Sequence, residues 1–446
     1  MRTEEDNYKF LTQGPIHRVI LTMAVPTIIS MLVTSIYNIV DTFFVGKIDT
    51  QSTAAVGIVF SVMFFAQAFG FFFGHGSGNY ISRELGAKRH KNAVIMASNG
   101  FFFSFTFGVI FLIICEIILK PLSVWLGSTP TILPYTERYL GIILIGSPFL
   151  TSSLTLNNQM RLQGNARLAM IGIVTGAILN CVLDPIFIFG FDMGVSGVAL
   201  ATVIGQIVSF IILLRMTHCP ENISISWRNF HPSWQALKEI FYGGSPSLSR
   251  QGLGCIATVA LNVMAGQFGD AAIAAMSIVN RITMFVMSAV VGLGQGFQPL
   301  CGFCYGAHLY ERLKSAFWFT VKVGTVFLVI VGGAGIFFSD GVIQLFRNDP
   351  DVIHIGSAAL IWQLCTYPLN SFIMTSNMMT QVCRKPWRAN ILAAARRGLF
   401  FIPLIIILPH FFGLLGVEMC QSVSDILALL LTVPVMIYTF HELDNE

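Results

Sequence analysis

Charged side chains are scarce in this sequence. Asp, Glu, Lys and Arg make up 11% of its 446 residues, whereas hydrophobic residues make up 54%. A soluble globular protein has about 25% charged residues, which cover its water-facing surface. The composition therefore argues against a soluble fold and predicts an integral membrane protein.

Several motifs that would carry chemistry are also missing. No complete GxxxxGK[ST] loop occurs, so we expect neither ATP drive nor a nucleotide partner. No DDxxD run occurs and the nine histidines are dispersed, which argues against a membrane enzyme such as a prenyl or acyl transferase. The nine cysteines are scattered, which argues against a disulfide framework. Cys301 and Cys304 have metal-ligand spacing but no second pair, so we interpret them as buried small residues and expect no cofactor.

Apolar segments long enough to cross a hydrocarbon core of about 30 Å, which takes about 20 residues, recur along the whole chain. The first follows a polar head without an A-x-A-like cleavage site, so we interpret it as a retained helix. The sequence predicts an all-α polytopic membrane protein with twelve transmembrane helices, whose cores are residues 18–46, 54–80, 93–119, 132–156, 168–190, 195–216, 237–266, 274–300, 315–338, 353–380, 389–411 and 414–440.

Cations are concentrated in alternate connections between these helices. The poorer set holds little beyond Lys47, Lys120, Arg138 and Arg347. By the positive-inside rule the richer set is cytoplasmic, which predicts two cytoplasmic termini in a plasma (inner) membrane. The same asymmetry accounts for the net charge of +4, so we expect no nucleic-acid partner. The richer set comprises Arg83, Lys88, Arg89, Lys91, Arg161, Arg167, Arg215, Arg228, Lys238, Arg312, Lys314, Arg384, Lys385 and Arg388.

The chain also repeats itself. At an offset of 220 residues Pro26 aligns with Pro246, and Gly74-x-Gly76 aligns with Gly294-x-Gly296. Each half has an even number of spans, so the two repeats are parallel. We predict an N-lobe at residues 1–217, a cytoplasmic connector at 218–235 and a C-lobe at 236–446, arranged around a central cavity in a monomer. Such repeats usually transport a substrate by rocking about that cavity, although a duplicated scaffold such as a pore is an alternative.

One oxygen-rich cluster is predicted inside the N-lobe. Asp41 lies about 8 Å inside the far end of the first span. Asn180 and Asp184 are one helical turn apart in the fifth span, and Thr202 in the sixth lies at a matching depth. This all-oxygen set suits Na⁺ or a shared proton. The alternative is that the acids pair with Arg or cap backbone groups.

The repeat offers an internal control for this cluster. The C-lobe counterparts carry no carboxylate, which predicts that ion coupling belongs to the N-lobe alone. The aligned pairs are Asp41 with Leu261 at an offset of 220, and, at an offset of 219, Asn180 with Leu399, Asp184 with Pro403 and Thr202 with Gln421.

Amides and thioethers can line a permissive organic-compound cavity because they adapt to different ligands. For any single Met, core packing is the alternative. Arg250 and Arg281 lie in C-lobe spans, and if two arginines face the cavity the substrate is anionic or zwitterionic. We interpret Arg396 and Arg397 as extending to the cytoplasmic interface. The cavity candidates are Tyr37, Asn157, Asn158, Gln159, Met160, Gln163, Arg250, Met284 and Met287.

Taken together, these motifs resemble the multidrug and toxic compound extrusion (MATE) family, within the multidrug, oligosaccharidyl-lipid and polysaccharide exporter superfamily. The resemblance rests on the acid before Phe-Val-Gly46, on Tyr80-Ile-Ser-Arg-x-Leu-Gly-Ala87, on Gln163-Gly-Asn-Ala-Arg167 and on Asn180-x-x-x-Asp184-Pro185. It implies a bacterial antiporter that expels organic, often cationic, drugs in exchange for H⁺ or Na⁺.

Carried over by position, the resemblance assigns Asp41, Asn180, Asp184 and Thr202 to the coupling-cation site. Some members also use acids in their seventh and tenth spans, but here the seventh offers Arg250 and residues 355–377 contain no Asp or Glu. A flippase for lipid-linked oligosaccharide or peptidoglycan precursors is the alternative function. It requires a strongly cationic cavity, against which the N-lobe acids argue and which Arg250 and Arg281 keep open.

Overall fold

The computed structural model describes residues 4–445, which are helical and contain no β-strand. The first half ends at Met216, and a π-helical turn, Ile186–Gly190, follows Pro185. Its helices are α1 (Glu4–Gln13), α2 (Ile16–Val45), α3 (Thr50–Gly86), α4 (His90–Ile117), α5 (Leu119–Trp125), α6 (Leu133–Leu144), α7 (Ser147–Leu162), α8 (Ala166–Pro185) and α9 (Gly194–Met216).

The second half repeats this order. A second π-helical turn, Ala395–Leu399, joins two of its helices. The helices are α10 (Trp234–Gly266), α11 (Asp270–Gly306), α12 (Tyr310–Phe337), α13 (Ser339–Phe346), α14 (Pro350–Val382), α15 (Pro386–Ala394), α16 (Phe401–Phe412) and α17 (Leu414–Asn445).

Ten of the described helical segments are long and apolar enough to cross a membrane, and α6 with α7 forms an eleventh crossing. The twelfth is α10, which contains Lys238, Glu239 and Arg250 and is therefore less apolar than the others. The all-α, two-lobe prediction with twelve crossings is confirmed. The exact lobe boundaries stay a prediction.

The fourth crossing differs between the lobes. In the N-lobe it is bent by 47° between α6 and α7, whereas its C-lobe counterpart, α14, is one continuous helix. Pro148 lies in the first turn of α7 and cannot donate a backbone hydrogen bond to the preceding turn. At the offset of 220 residues the aligned position in α14 is also a proline, Pro368, and α14 remains one continuous helix, so the proline alone does not account for the bend.

Glycines let the two lobes approach closely at the end of the bundle that carries the termini. A Cβ on Gly76 would overlap the carbonyl of Ile240, and one on Gly296 would overlap the backbone of Ala24. The second glycine of the repeated Gly-x-Gly motif therefore marks an inter-lobe contact, in α3 and again in α11.

Hydrogen bonds join the lobes in the same region. Arg83 Nη1 donates to the carbonyl of Val382 at 2.7 Å, and Arg161 Nη1 donates to Gln298 Oε1 at 3.0 Å. Midway along the bundle, the hydroxyls of Ser35 and Ser288 lie 2.8 Å apart. The lobes are thus sealed on the side of the termini, and the cleft between them opens toward the opposite side.

Candidate functional site

The N-lobe contains an open cavity of about 1100 Å³ between α2, α3 and α6 to α9. Aromatic and thioether groups cover much of its wall, including Phe60, Met63 and Phe64. No Lys or Arg lines it in the described part of the chain. Its polar lining is formed by Thr34, Tyr37, Asn38, Asp41, Gln67, Tyr139, Ser153, Asn180, Thr202, Gln206 and Ser209.

Three of the four predicted cation ligands, Asp41, Asn180 and Thr202, lie on this wall. Asn180 Nδ2 donates to Thr202 Oγ1 at 3.0 Å. Two glycines bring their helices together at this depth, because a Cβ on Gly205 would lie 2.9 Å from the carbonyl oxygen of Gly176. The sequence thus brings the amide of α8 against the hydroxyl of α9.

The fourth predicted ligand, Asp184, lies behind the wall and is 0% exposed. Its charge interacts with that of Asp41. The Tyr37 hydroxyl interacts with Thr202 and with both carboxylates, and the buried Tyr139 also lies within reach of both charges. The structure therefore brings all four predicted residues together, with two tyrosines beside them.

Most of the acceptor oxygens in this cluster have no protein partner. Asp41 Oδ1, Asn180 Oδ1 and both carboxylate oxygens of Asp184 are buried and accept no hydrogen bond. Neither acid forms an ion pair with a described Lys, Arg or His. Buried carboxylates without donors are costly. The donor chemistry fits a hard cation or a proton, although the role of these residues stays a prediction.

The chain distorts directly after Asp184. Pro185 ends α8 and the π-helical turn Ile186–Gly190 follows. A π-helical turn within a helix is frequent at functional sites because it reorients the side chains on either side of it.

The predicted cavity amides lie elsewhere. Asn157 donates to the carbonyl of Ala169 at 2.8 Å, and Gln159 donates to Ser77 Oγ at 2.9 Å. Asn158 accepts from Arg161 Nη2 at 2.6 Å, and Gln163 accepts from the backbone N–H of Ile223 at 2.8 Å. These four amides join helices and hold the connector, and none lines the N-lobe cavity.

The other candidates are also dispersed. Met160 is 1% exposed in the core, whereas Met284 is 51% exposed. Arg250 Nη1 donates to Asn377 Oδ1 at 2.9 Å, within the C-lobe. Of the predicted cavity residues only Tyr37 lines the N-lobe cavity, while Met287 lines a second cavity in the C-lobe.

This second cavity has a volume of about 490 Å³ and lies at the repeat-equivalent position. Leu261 and Gln421, the counterparts of Asp41 and Thr202, line it. Arg396 and Arg397 also line it. The interpretation that these two arginines extend to the cytoplasmic interface is therefore wrong.

Asp425 in α17 is a buried acid that the sequence reasoning missed. It is 0% exposed and accepts from Arg396 Nε at 2.7 Å, from Asn370 Nδ2 at 2.9 Å and from Gln421 Nε2 at 2.8 Å. Its oxygens are fully bonded, in contrast to those of Asp184. The sequence feature that could have indicated this pair is that Arg396 and Asp425, 29 residues apart, both lie inside apolar segments.

Two parallel helical lobes, in contact at one end and each containing a cavity lined by apolar and charged side chains, define the class of a multi-pass membrane transporter. The MatE family profile matches residues 26–186 and 247–407, once in each half. The chain belongs to this family, which confirms the resemblance inferred from its motifs.

Two curated relatives are proteins of the same name. The multidrug export protein MepA of Staphylococcus aureus (strain MSSA476) is 27% identical over 433 residues, covering 96% of this chain and 95% of that protein. MepA of Staphylococcus haemolyticus (strain JCSC1435) is 27% identical over 419 residues, covering 93% of this chain and 92% of that protein.

A solved structure has the same fold. It is described as the outward-facing conformation of a multidrug resistance MATE family transporter of the MOP superfamily. Its TM-score is 0.93 at 26% identity, covering 98% of both chains. The family, the relatives and this fold support a transporter rather than an enzyme.

Proposed function

We propose that this protein is a secondary active multidrug efflux antiporter, which exports organic, often cationic, compounds in exchange for H⁺ or Na⁺ by alternating access. The observation that carries the proposal is the buried set of unpartnered oxygens on Asp41, Asn180 and Asp184 beside an aromatic cavity. The relatives named for multidrug export support the substrate class.

The negative charge of Asp41 and Asp184 couples export of the organic compound to entry of the H⁺ or Na⁺. With both acids ionised, the cluster has a charge of −2 and no basic side chain beside it, so the cavity attracts an organic cation. Faces of Tyr37, Tyr139 and Phe64 add cation–π attraction, and Met63 adapts to different shapes. A bound proton or Na⁺ reduces the negative charge and weakens that attraction. Each occupant therefore favours release of the other.

The two coupling ions are distinguished by one transport experiment. Purified protein in sealed vesicles is given a Na⁺ gradient at fixed pH, and then a pH gradient without Na⁺. Na⁺ coupling predicts ethidium movement only in the first condition, and H⁺ coupling only in the second. Movement that follows neither gradient contradicts the antiport proposal.

The membrane orientation belongs to the same proposal. The positive-inside rule puts both termini in the cytoplasm of a bacterial cell with the protein in its inner membrane. In that orientation the sealed end of the bundle faces inward and the cleft opens outward. Reactivity of single cysteines at the exposed positions Lys47 and Trp227 toward an impermeant reagent tests this. We expect labelling of intact cells at residue 47 and not at residue 227.

The alternative of a lipid-precursor flippase is favoured by Arg250, Arg396 and Arg397 in the C-lobe. A diphosphate substrate needs several free cationic groups in one cavity. Here Arg396 is bound by Asp425 and Arg250 by Asn377, and the larger cavity is acidic. Cells that express the protein and accumulate less ethidium would favour the antiporter over the flippase.

A further inference from the structure

Arg397 is an unpaired guanidinium inside the C-lobe. It lines the 490 Å³ cavity and is partly buried. In the described part of the chain, residues 4–445, it forms no hydrogen bond and no ion pair. A charged group within a membrane span needs a partner or a cavity, and such a group is a functional hypothesis by default.

The neighbouring groups cannot neutralise it. The nearest acid, Asp425, is bound by Arg396 Nε at 2.7 Å and by the amides of Asn370 and Gln421. Two guanidinium groups and one carboxylate give this cluster a net charge of +1. The cavity therefore has the opposite charge to its N-lobe counterpart.

The local backbone holds Arg397 at the cavity. Arg396 and Arg397 both lie on the π-helical turn Ala395–Leu399, which interrupts the crossing between α15 and α16. A Cβ on Gly254 would lie 3.9 Å from Arg397 Nη1, so the guanidinium extends along α10 where that helix has no side chain. The π-helical turn and the bare helix surface together place the guanidinium at the cavity.

A second donor faces the same space. Asn280 lines the cavity, and its amide nitrogen has only a weak contact with Met284 Sδ at 3.9 Å. Apolar groups, among them Phe401 and Met276, complete the wall. An aromatic compound that carries a carboxylate fits these groups. The guanidinium binds the carboxylate through two parallel hydrogen bonds, and the apolar wall packs against the aromatic rings.

We propose that the C-lobe cavity binds the carboxylate of a transported aromatic compound, with Arg397 as its receptor and Asn280 as a second donor. The transporter thereby accepts zwitterionic and anionic compounds as well as the cations that suit the N-lobe. This inference rests on the proposed function, because it extends the range of exported compounds.

Two dyes of matched shape test the proposal. Rhodamine 110 has a free carboxylate, and rhodamine 123 is its methyl ester with the same aromatic cation. Fluorescence anisotropy with purified full-length protein gives Kd for each dye. For R397Q we expect Kd for rhodamine 110 to rise about tenfold to hundredfold, the range of a lost charge-assisted hydrogen bond. Kd for rhodamine 123 should not rise.

Two further variants serve as controls. R397K keeps the charge without the fork and should lose less affinity for rhodamine 110 than R397Q. R281Q removes an exposed arginine of α11 that lines neither cavity, and it should leave the ratio of the two Kd values unchanged.

The outcomes separate the two proposals. Retained binding of rhodamine 123 by R397Q shows that the variant is folded. An unchanged ratio of the two Kd values in R397Q, with both dyes still bound, overturns the carboxylate site alone. Wild-type protein that binds neither dye overturns this inference and the proposed function together.

Discussion

The side-chain amide of Asn180 donates to the hydroxyl of Thr202 at 3.0 Å, across the contact between α8 and α9. The bond fixes the amide so that its oxygen, Asn180 Oδ1, accepts no hydrogen bond and remains available beside Asp184. A helix-packing bond therefore also orients an acceptor toward the proposed cation site.

Removing either acid should abolish coupled export. Asp41→Asn or Asp184→Asn replaces a charged acceptor by a neutral amide of the same shape, so we expect ethidium efflux to fall to the level of cells without the protein. Protein abundance in the membrane should stay unchanged.

The control for these variants is Asp192→Asn, an acid of the same lobe that is exposed between the π-helical turn and α9. Its φ of 51° suits Asn, so this variant should fold and transport normally. Normal efflux by either Asp41→Asn or Asp184→Asn would remove the coupling proposal.

Thr202→Val should weaken binding at the proposed cation site while leaving both of its carboxylates in place. The substitution leaves Asn180 Nδ2 without its partner, which costs about 1–3 kcal/mol in a buried site. We expect the concentration of coupling ion for half-maximal efflux to rise several-fold. Thr202→Ser keeps the hydroxyl and should restore most of the loss; equal defects in both variants would show that the methyl group matters instead.

A bulky residue at the inter-lobe contact should prevent closure. A Cβ on Gly76 would overlap the carbonyl of Ile240 in the other lobe, so Gly76→Val should block the sealed state and stop transport. Gly57→Val lies in the same helix, where a Cβ meets no atom within 4 Å. Crosslinking between cysteines at Ser35 and Ser288, whose hydroxyls lie 2.8 Å apart across the lobes, reports the sealed state. It should fall in the first variant only.

The buried pair in the C-lobe should affect stability rather than ion coupling. Arg396→Met leaves Asp425 in a site where it is 0% exposed without its guanidinium, and the loss of one partner of a buried pair costs about 3–5 kcal/mol. Thermal unfolding in detergent should therefore shift to lower temperature. Adding Asp425→Leu to the same protein should recover much of the loss. A single variant as stable as wild type would contradict this role.

The fold could be predicted because membrane length, cation distribution and an internal repeat each limit the answer strongly. Asp41, Asn180 and Thr202 could be brought together because depth can be counted along straight helices. The amides from Asn157 to Gln163 could not be assigned, because a polar side chain inside a span can face a cavity or hydrogen-bond to a neighbouring helix. Only the packing of the helices in the structure distinguishes these two roles.

Arg396 and Asp425 escaped prediction for a different reason. Each was an isolated charge in its own span, and their counterparts in the first half, Ala177 and Gln206, are uncharged. Arg396 also lies ten residues beyond the start of α15, about 15 Å into the bundle, which is too deep for a side chain to reach the interface. Estimating the membrane depth of basic residues as well as acidic ones would have predicted that Arg396 and Asp425 form an ion pair.

The 47° bend between α6 and α7 makes the two duplicated halves mechanically unequal. A continuous helix such as α14 transmits a tilt along its length, whereas a crossing divided into two helices lets its two ends turn separately. When the lobes rock, we expect deformation to be concentrated beside the N-lobe cavity, which contains the acids. The helices around the C-lobe cavity, which contains the arginines, should move as a nearly rigid unit. Two halves with the same helix order would thus move differently, one by deforming and the other as a rigid unit.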